Sequence, residues 1–144
     1  MPYLVPDHEL TPEAFTEKGQ GKLPGHIGLV VTRAARDGFE GYFDIQPHHH
    51  APNGFLHAGS LVTLADTLCG YATVANLQEG ATGFTTIELK TNFFATALEG
   101  RVHAFATPVH IGGTTQVWDC ELKSAAGKRM ALFRCSQLVL RAKG

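Results

Sequence analysis

The chain has 144 residues, 44% of them hydrophobic and 17% charged, which suits one folded domain with a real core and excludes a disordered or highly solvated chain. Twelve Lys and Arg nearly balance thirteen Asp and Glu, so no global field draws in nucleic acid or an anionic membrane. Cys69, Cys120 and Cys135 have no C-x-x-C spacing, which argues against a disulfide framework or a cysteine-based zinc site and for a reducing cytoplasm.

The amino terminus, MPYLVPDHELTPEAF, lacks the apolar run of a signal peptide, and no later run is long enough to span a bilayer. Glu9 to Lys18, after the Thr11-Pro12 start signal, predicts a short amphipathic helix, and a turn-rich connector follows from Gly19 to Gly25. Ile27 to Ala34 and Phe39 to Ile45 read as a hairpin closed by Ala35-Arg36-Asp37-Gly38. QPHHHAPNGF, with its Pro, Asn and Gly, reads as a loop.

From His57 to about Gln78 the period becomes helical. Leu61, Leu64, Ala65, Leu68, Tyr71, Ala72 and Ala75 form one apolar stripe, and Gly80 is the stop signal. Strand-like segments then run to the end: Ile87 to Phe93 with alternating polarity, Val102 to Ile111, Thr114 to Leu122, and Met130 to Leu140. Gly112-Gly113 and Ala125-Ala126-Gly127 supply turns between them. The order predicts a single α+β domain over 1–144, an antiparallel sheet covered on one face by the long helix.

One formal charge, Asp66, lies between His57 and Gln78. On a helical wheel it stands opposite the stripe, among Val62, Thr63, Thr67, Gly70, Thr73 and Val74. A solvated helix face carries several charges; small and apolar neighbours suit contact with a second surface, another subunit. An isolated carboxylate there is costly unless it has partners or a purpose. The helix start, His57-Ala58-Gly59-Ser60, offers free N–H groups and a partial positive charge, with little side chain to keep a ligand oxygen away.

The stretch from His57 to Asp66, H-A-G-S-L-V-T-L-A-D, resembles the H-G-G-x-x-x-x-L-x-D/E signature of hotdog-fold acyl-CoA thioesterases, nearest the PaaI-like (phenylacetate-degradation) branch of the 4-hydroxybenzoyl-CoA thioesterase group. Gly54, Thr85 to Phe93, Gly112-Gly113-Thr114 and Gly127 extend the likeness over about Gly25 to Leu140. The resemblance implies a sheet wrapped around the long helix and a homodimer as the smallest active unit, commonly paired into a homotetramer. It implies an acyl-CoA substrate with no further cofactor. Asp66 would act as general base or as nucleophile. The N–H of Ala58, with that of Gly59, would polarise the thioester carbonyl beside His57, and Thr86 would hold the attacking water. The family often has Asn or Gln six residues before the His, where this chain has Ala51; Asn53 or His50 would supply the missing polar group, with Gly54 shaping the same substrate-binding loop.

Three rival readings remain. His48-His49-His50 and His57 suggest a metal, but adjacent loop histidines diverge and no familiar ligand spacing completes them, so no metal is expected. A hotdog hydratase or dehydratase would carry a different pattern around the helix start. A non-catalytic acyl-CoA-binding protein would use Asp66 as an interface residue only. Cys69 reads as a buried small hydrophobe, Trp118 as core, and Phe84, Phe93 and Phe94 as candidate acyl-pocket walls. Arg101, Lys123 and Arg134 are available to CoA phosphates or are ordinary surface charges.

Overall fold

A computed structural model describes residues 2–143. Helix α1 is Pro12–Lys18 and starts where Thr11 accepts the Ala14 N–H on its side chain. It is shorter than predicted because Asp7–Glu9 forms a separate 3-10 turn ahead of it. The connector contains a single-turn helix, α2, Leu23–His26. Strands β1 (Val30–Ala35) and β2 (Gly38–Asp44) form the expected hairpin, with Ala35 opposite Gly38. A second 3-10 turn, Pro47–His49, sits in the His-rich loop before helix α3, Ala58–Ala75. Then come β3 (Ala81–Phe93), β4 (Arg101–Ile111), β5 (Thr115–Ser124) and β6 (Arg129–Arg141).

The strands make one antiparallel sheet in the order β1-β2-β4-β5-β6-β3. Register places Gly41, Ala104, Leu122, Ala131 and Phe93 in one row across the sheet, and Phe39, Ala106, Cys120, Phe133 and Thr91 in the next. These rows belong to the face that α3 covers. Leu61, Leu64, Ala65, Leu68, Ala72 and Ala75 are buried as the stripe requires, against Phe39, Phe43, Trp118 and Phe133. Gly41 lets the helix come close: a Cβ there would lie 2.7 Å from the Val30 carbonyl and 3.2 Å from a Leu68 methyl.

Thr73 corrects the helical wheel. Predicted on the second face, it is fully buried, and its hydroxyl donates to the Cys69 carbonyl at 2.7 Å. The helix also ends earlier than the periodicity suggested. Asn76 closes it, donating its amide to the Ala72 and Arg36 carbonyls, while the Arg36 guanidinium donates to the Ala75 and Val5 carbonyls and pairs with Asp7. Tyr3 lies 3.7 Å beneath that guanidinium. The amino-terminal arm is thereby pinned to the carboxyl end of α3, and these bonds satisfy carbonyls that a helix end leaves open.

The two sheet edges differ. β1 is short and bulged, and Thr16 of α1 accepts the Val31 N–H at 2.9 Å. β3 has 13 residues and pairs with β6 alone. Its inner-face residues are also poorly covered. Leu89 and Phe93 remain 43% and 44% exposed, whereas Cys135 and Ala131, beside them on β6, are within 1% of complete burial.

Candidate active site

The loop before α3 is organised by His49. Its Nδ1 accepts the Gln46 N–H at 2.8 Å, so the neutral ring carries its proton on Nε2, which donates to the Ile27 carbonyl at 2.8 Å. The ring is buried, stacks on Phe43 with centroids 4.3 Å apart, and burial pushes its pKa below the ordinary histidine range. The His49 carbonyl in turn accepts the His57 N–H and the Ser60 hydroxyl, both at 2.9 Å, fixing where the helix begins. His48 is exposed, with its ring centroid 4.2 Å from that of His49, and the His50 ring lies 3.1 Å from the Leu98 carbonyl. Among the described residues no three His, Cys, Asp or Glu converge as a metal site.

His57 caps the helix with its own ring: Nδ1 accepts the Gly59 N–H at 2.7 Å. That bond leaves Nε2–H as the outward-facing donor of the neutral, exposed imidazole. It also occupies the Gly59 N–H, so the pair of donors expected from Ala58 and Gly59 reduces to Ala58, whose N–H has no hydrogen-bond partner among the described residues. Ala58 and His57 are exposed, and the Gly59 and Ser60 positions open on a shallow hollow shared with His26, His48, His50 and Thr63. Asn53 is exposed and spends its side-chain oxygen on the Phe55 N–H at 3.1 Å, a local turn that Gly54 completes with φ +86°. Thus His50 and His57 share a hollow, whereas Asn53 and Gly54 shape the adjoining loop.

Asp66 lies further along α3, about 12 Å from Ala58 along the axis. It is half-buried, its Oδ1 is sealed from solvent without a hydrogen-bond partner, and burial raises its pKa above the usual carboxylate range. One turn on, Gly70 brings the helix against β3: a Cβ at this position would stand 3.3 Å from the Phe84 ring. Phe84 and Thr86 are both half-buried and precede a bulge at Ile87, after which Leu89, Thr91 and Phe93 continue the same face. The result is a seam between the Asp66 side of α3 and the uncovered inner face of β3.

Two side chains that the sequence analysis passed over belong to this seam. Among the described residues, the buried side-chain polar atoms without partners are Asp66 Oδ1, Thr91 Oγ1, and Nε2 and Oε1 of Gln137. Gln137 stands opposite Thr86 on one side and Gln116 on the other. Its signal was present in the strand period, since it falls in phase with the buried Phe133, Cys135 and Val139.

The remaining candidates take structural places. Cys69 is fully buried beside Cys120 and Cys135, and burial raises its thiol pKa, which makes it inert as a nucleophile. Trp118 is core, donating Nε1 to Gln116 at 2.9 Å. Arg101 pairs with Asp44, Lys123 with Glu121 and Arg134 with Asp119, so each cation already has a carboxylate. No helix in the described residues is long and apolar enough to cross a membrane.

A half-buried carboxylate, an exposed helix start and an open apolar floor are the equipment of acyl transfer to water. Comparison with known proteins points the same way. The chain is 28% identical over 137 residues to the proofreading thioesterase EntH of Cronobacter sakazakii, covering 95% of this chain and 99% of that one. It is 27% identical to the 1,4-dihydroxy-2-naphthoyl-CoA hydrolase of Escherichia coli, covering 95% and 100%. A thioesterase from Pseudomonas aeruginosa, solved as a mutant, superposes with a TM-score of 0.87 at 25% identity, covering 92% and 95%. The E. coli PaaI protein of the phenylacetic acid degradation operon shares the fold, with a TM-score of 0.80 at 22% identity and 95% and 96% coverage. The thioesterase superfamily model matches residues 53–131, from the loop before α3 into β6. The chain therefore belongs to the thioesterase superfamily, enzymes that hydrolyse thioester bonds, and has their hotdog fold.

Proposed function

We propose that this protein hydrolyses an aryl- or short- to medium-chain acyl-CoA to the free acid and CoA at a site completed by two copies of the chain. The observation that carries the reading is Asp66, a half-buried carboxylate with one sealed, unpartnered oxygen beside an uncovered apolar floor. In that setting it acts as general base on water or as nucleophile on the carbonyl, and Thr86, half-buried on the inner face of β3, is the candidate to hold the water. The Ala58 N–H and the outward Nε2–H of His57 are the donors for the developing oxyanion. His50, Asn53 and Gly54 form the loop against which the thioester's carrier side lies.

The separation of Asp66 from Ala58, about 12 Å along the helix axis, argues for two copies. Base and oxyanion donor must both come within about 3 Å of one reacting carbonyl, and one straight helix cannot arrange that. The β3 edge supplies the route. A long edge strand with open N–H and C=O groups pairs with a second β3, and the dimer brings one helix start toward the other copy's Asp66. Leu132, Leu138 and Leu140, all exposed on the outer face of β6, offer a second apolar surface on which dimers pair into a tetramer. The three buried, unpaired cysteines suit work in the cytoplasm.

The test is a panel of acyl-CoAs with thiol trapping, run on wild type, Asp66→Asn and Ala58→Pro. Proline is favoured at the first helical position, and His57 already has the extended backbone that precedes proline, so Ala58→Pro deletes one donor without breaking the helix. Each variant alone should lose about 10²-fold or more in kcat. Mixed after dissociation, the two variants should regain activity, since one of the two shared sites then holds both intact parts. No recovery in a verified mixed oligomer would place the site within one chain. No turnover by wild type, with acyl-CoA still raising its melting temperature, would leave a binding protein in place of an enzyme.

A further inference from the structure

We propose that His49 is a positioning residue for catalysis: its buried neutral ring fixes the Ala58 N–H where the thioester oxygen is held, and protonation of the ring releases that donor. This rests on Ala58 being the oxyanion donor. His49 is 1% exposed, and its ring bridges two segments far apart in the chain. It accepts the Gln46 N–H on Nδ1 and donates Nε2–H to the Ile27 carbonyl, each at 2.8 Å. Gln46 returns the contact, its side chain accepting the His49 backbone N–H. Ring and backbone are both held.

The His49 carbonyl faces α3. The His57 N–H and the Ser60 hydroxyl both donate to it at 2.9 Å, so one oxygen holds the residues on either side of Ala58 and Gly59. Ile27, His48, His50, His57 and Ser60 all line the hollow at the helix start, and each bonds to His49 or adjoins it in sequence. A phenylalanine would keep the stack on Phe43 without the cost of burying ring nitrogens; the neutral histidine adds an acceptor and a donor on one flat ring. A second proton, on Nδ1, would set N–H against the Gln46 N–H and break that end of the bridge. The ring is faced by Phe43 of β2, by His26 and Ile27 at the end of α2, and by His48 and His50 beside it in the loop. Among the described residues no carboxylate acts on it to favour the charged ring, and burial disfavours that form. The neutral ring is therefore the working form. Moving a reacting group's partner by about 1 Å is enough to cost about 10² in rate.

The test is a double-mutant cycle in kcat, on the acyl-CoA that wild type hydrolyses best, with His49→Phe and His49→Asn each combined with Ala58→Pro. His49→Phe should lower kcat about 10- to 10²-fold with KM changed by less than about twofold. His49→Asn, which keeps an acceptor near the Nδ1 position, should lose less. In the Ala58→Pro background either substitution should cost less than about twofold more, because the donor it positions is already gone. Losses that multiply, or that follow melting temperature instead of the retained acceptor, would make His49 a packing residue and overturn the proposal. Wild type supplies a reading that needs neither a folded variant nor turnover. In isotope-labelled protein followed by NMR, the Gln46 and Ala58 amide signals should move with the His49 ring as pH falls, with a common midpoint below the ordinary histidine value of about 6.5. An Ala58 signal that stays still while the ring titrates also overturns the proposal. No loss of kcat in Ala58→Pro alone would overturn the donor assignment itself, and is thereby told apart from a failure of His49.

Discussion

The sheet has one face toward α3, and that face is treated in two ways. Over β2, β4, β5 and β6 the helix lies close, with Leu64, Leu68 and Ala72 sealed against Phe39, Trp118 and Phe133. Over the later part of β3, beyond its contact with Phe84, it stands aside, leaving Leu89 and Phe93 open although they occupy the same rows as buried residues. The unpartnered polar atoms collect at the boundary between these regions, at Asp66, Thr91 and Gln137. Similar strand chemistry therefore builds a sealed core where the helix reaches and leaves an uncovered apolar surface where it does not.

The largest expected effect lies at the boundary. Asp66→Asn should lower kcat by about 10² to 10⁴ while raising the melting temperature, because it removes a carboxylate that burial disfavours. Activity and calorimetry on one preparation check both halves. In the covered region, Leu68→Ala should cost about 2–5 kcal/mol of unfolding free energy, read by urea denaturation. If it costs no more than an exposed leucine, the helix is not seated as described.

Acid should act on the buried His49 of the loop and on Asp66 at the boundary with opposite signs. His49 has a depressed folded pKa, so the unfolded chain binds its proton first, and stability contributed by the neutral ring is lost as pH falls below about 6.5. Asp66 has a raised folded pKa. Its native carboxyl holds a proton that the unfolded one has released, so its contribution worsens as pH rises from the ordinary aspartate range through the raised value. Melting temperature against pH should therefore lose its Asp66 limb in Asp66→Asn and keep its His49 limb. Smaller effects belong to the open region. Gly70→Ala should press on the Phe84 ring and raise KM several-fold with a stability change of about 1 kcal/mol. Leu89→Ala should shift KM while changing stability by only about 0.5 kcal/mol, in contrast to Leu68→Ala.

Much of this was legible before the structure. The alternation in the last four strands, the apolar stripe of α3 and the H-A-G-S-L-V-T-L-A-D run located the sheet, the helix and the principal candidate, Asp66. Glycine and proline punctuation put the element ends within a few residues. Thr73 was misassigned because a wheel records angle and not how widely a sheet curls around the helix, and threonine can enter a core by bonding its own helix carbonyl. The start of β3 at Ala81 was missed because Gly83 and the bulge at Ile87 interrupt the period-two pattern.

By itself the sequence determined what depends on local periodicity: where strands and helix lie, which side of each is apolar, and that one carboxylate sits on an otherwise uncharged helix. It could not say that His57 spends the Gly59 N–H, that α3 leaves Leu89 and Phe93 of β3 uncovered, or that Gln137 faces inward with nothing to bond. Those facts were decided by tertiary structure, because they depend on the distance and angle between elements far apart in the chain. Hydrogen-bond satisfaction and the depth of a cleft are properties of packed surfaces, and side-chain identity alone does not specify them.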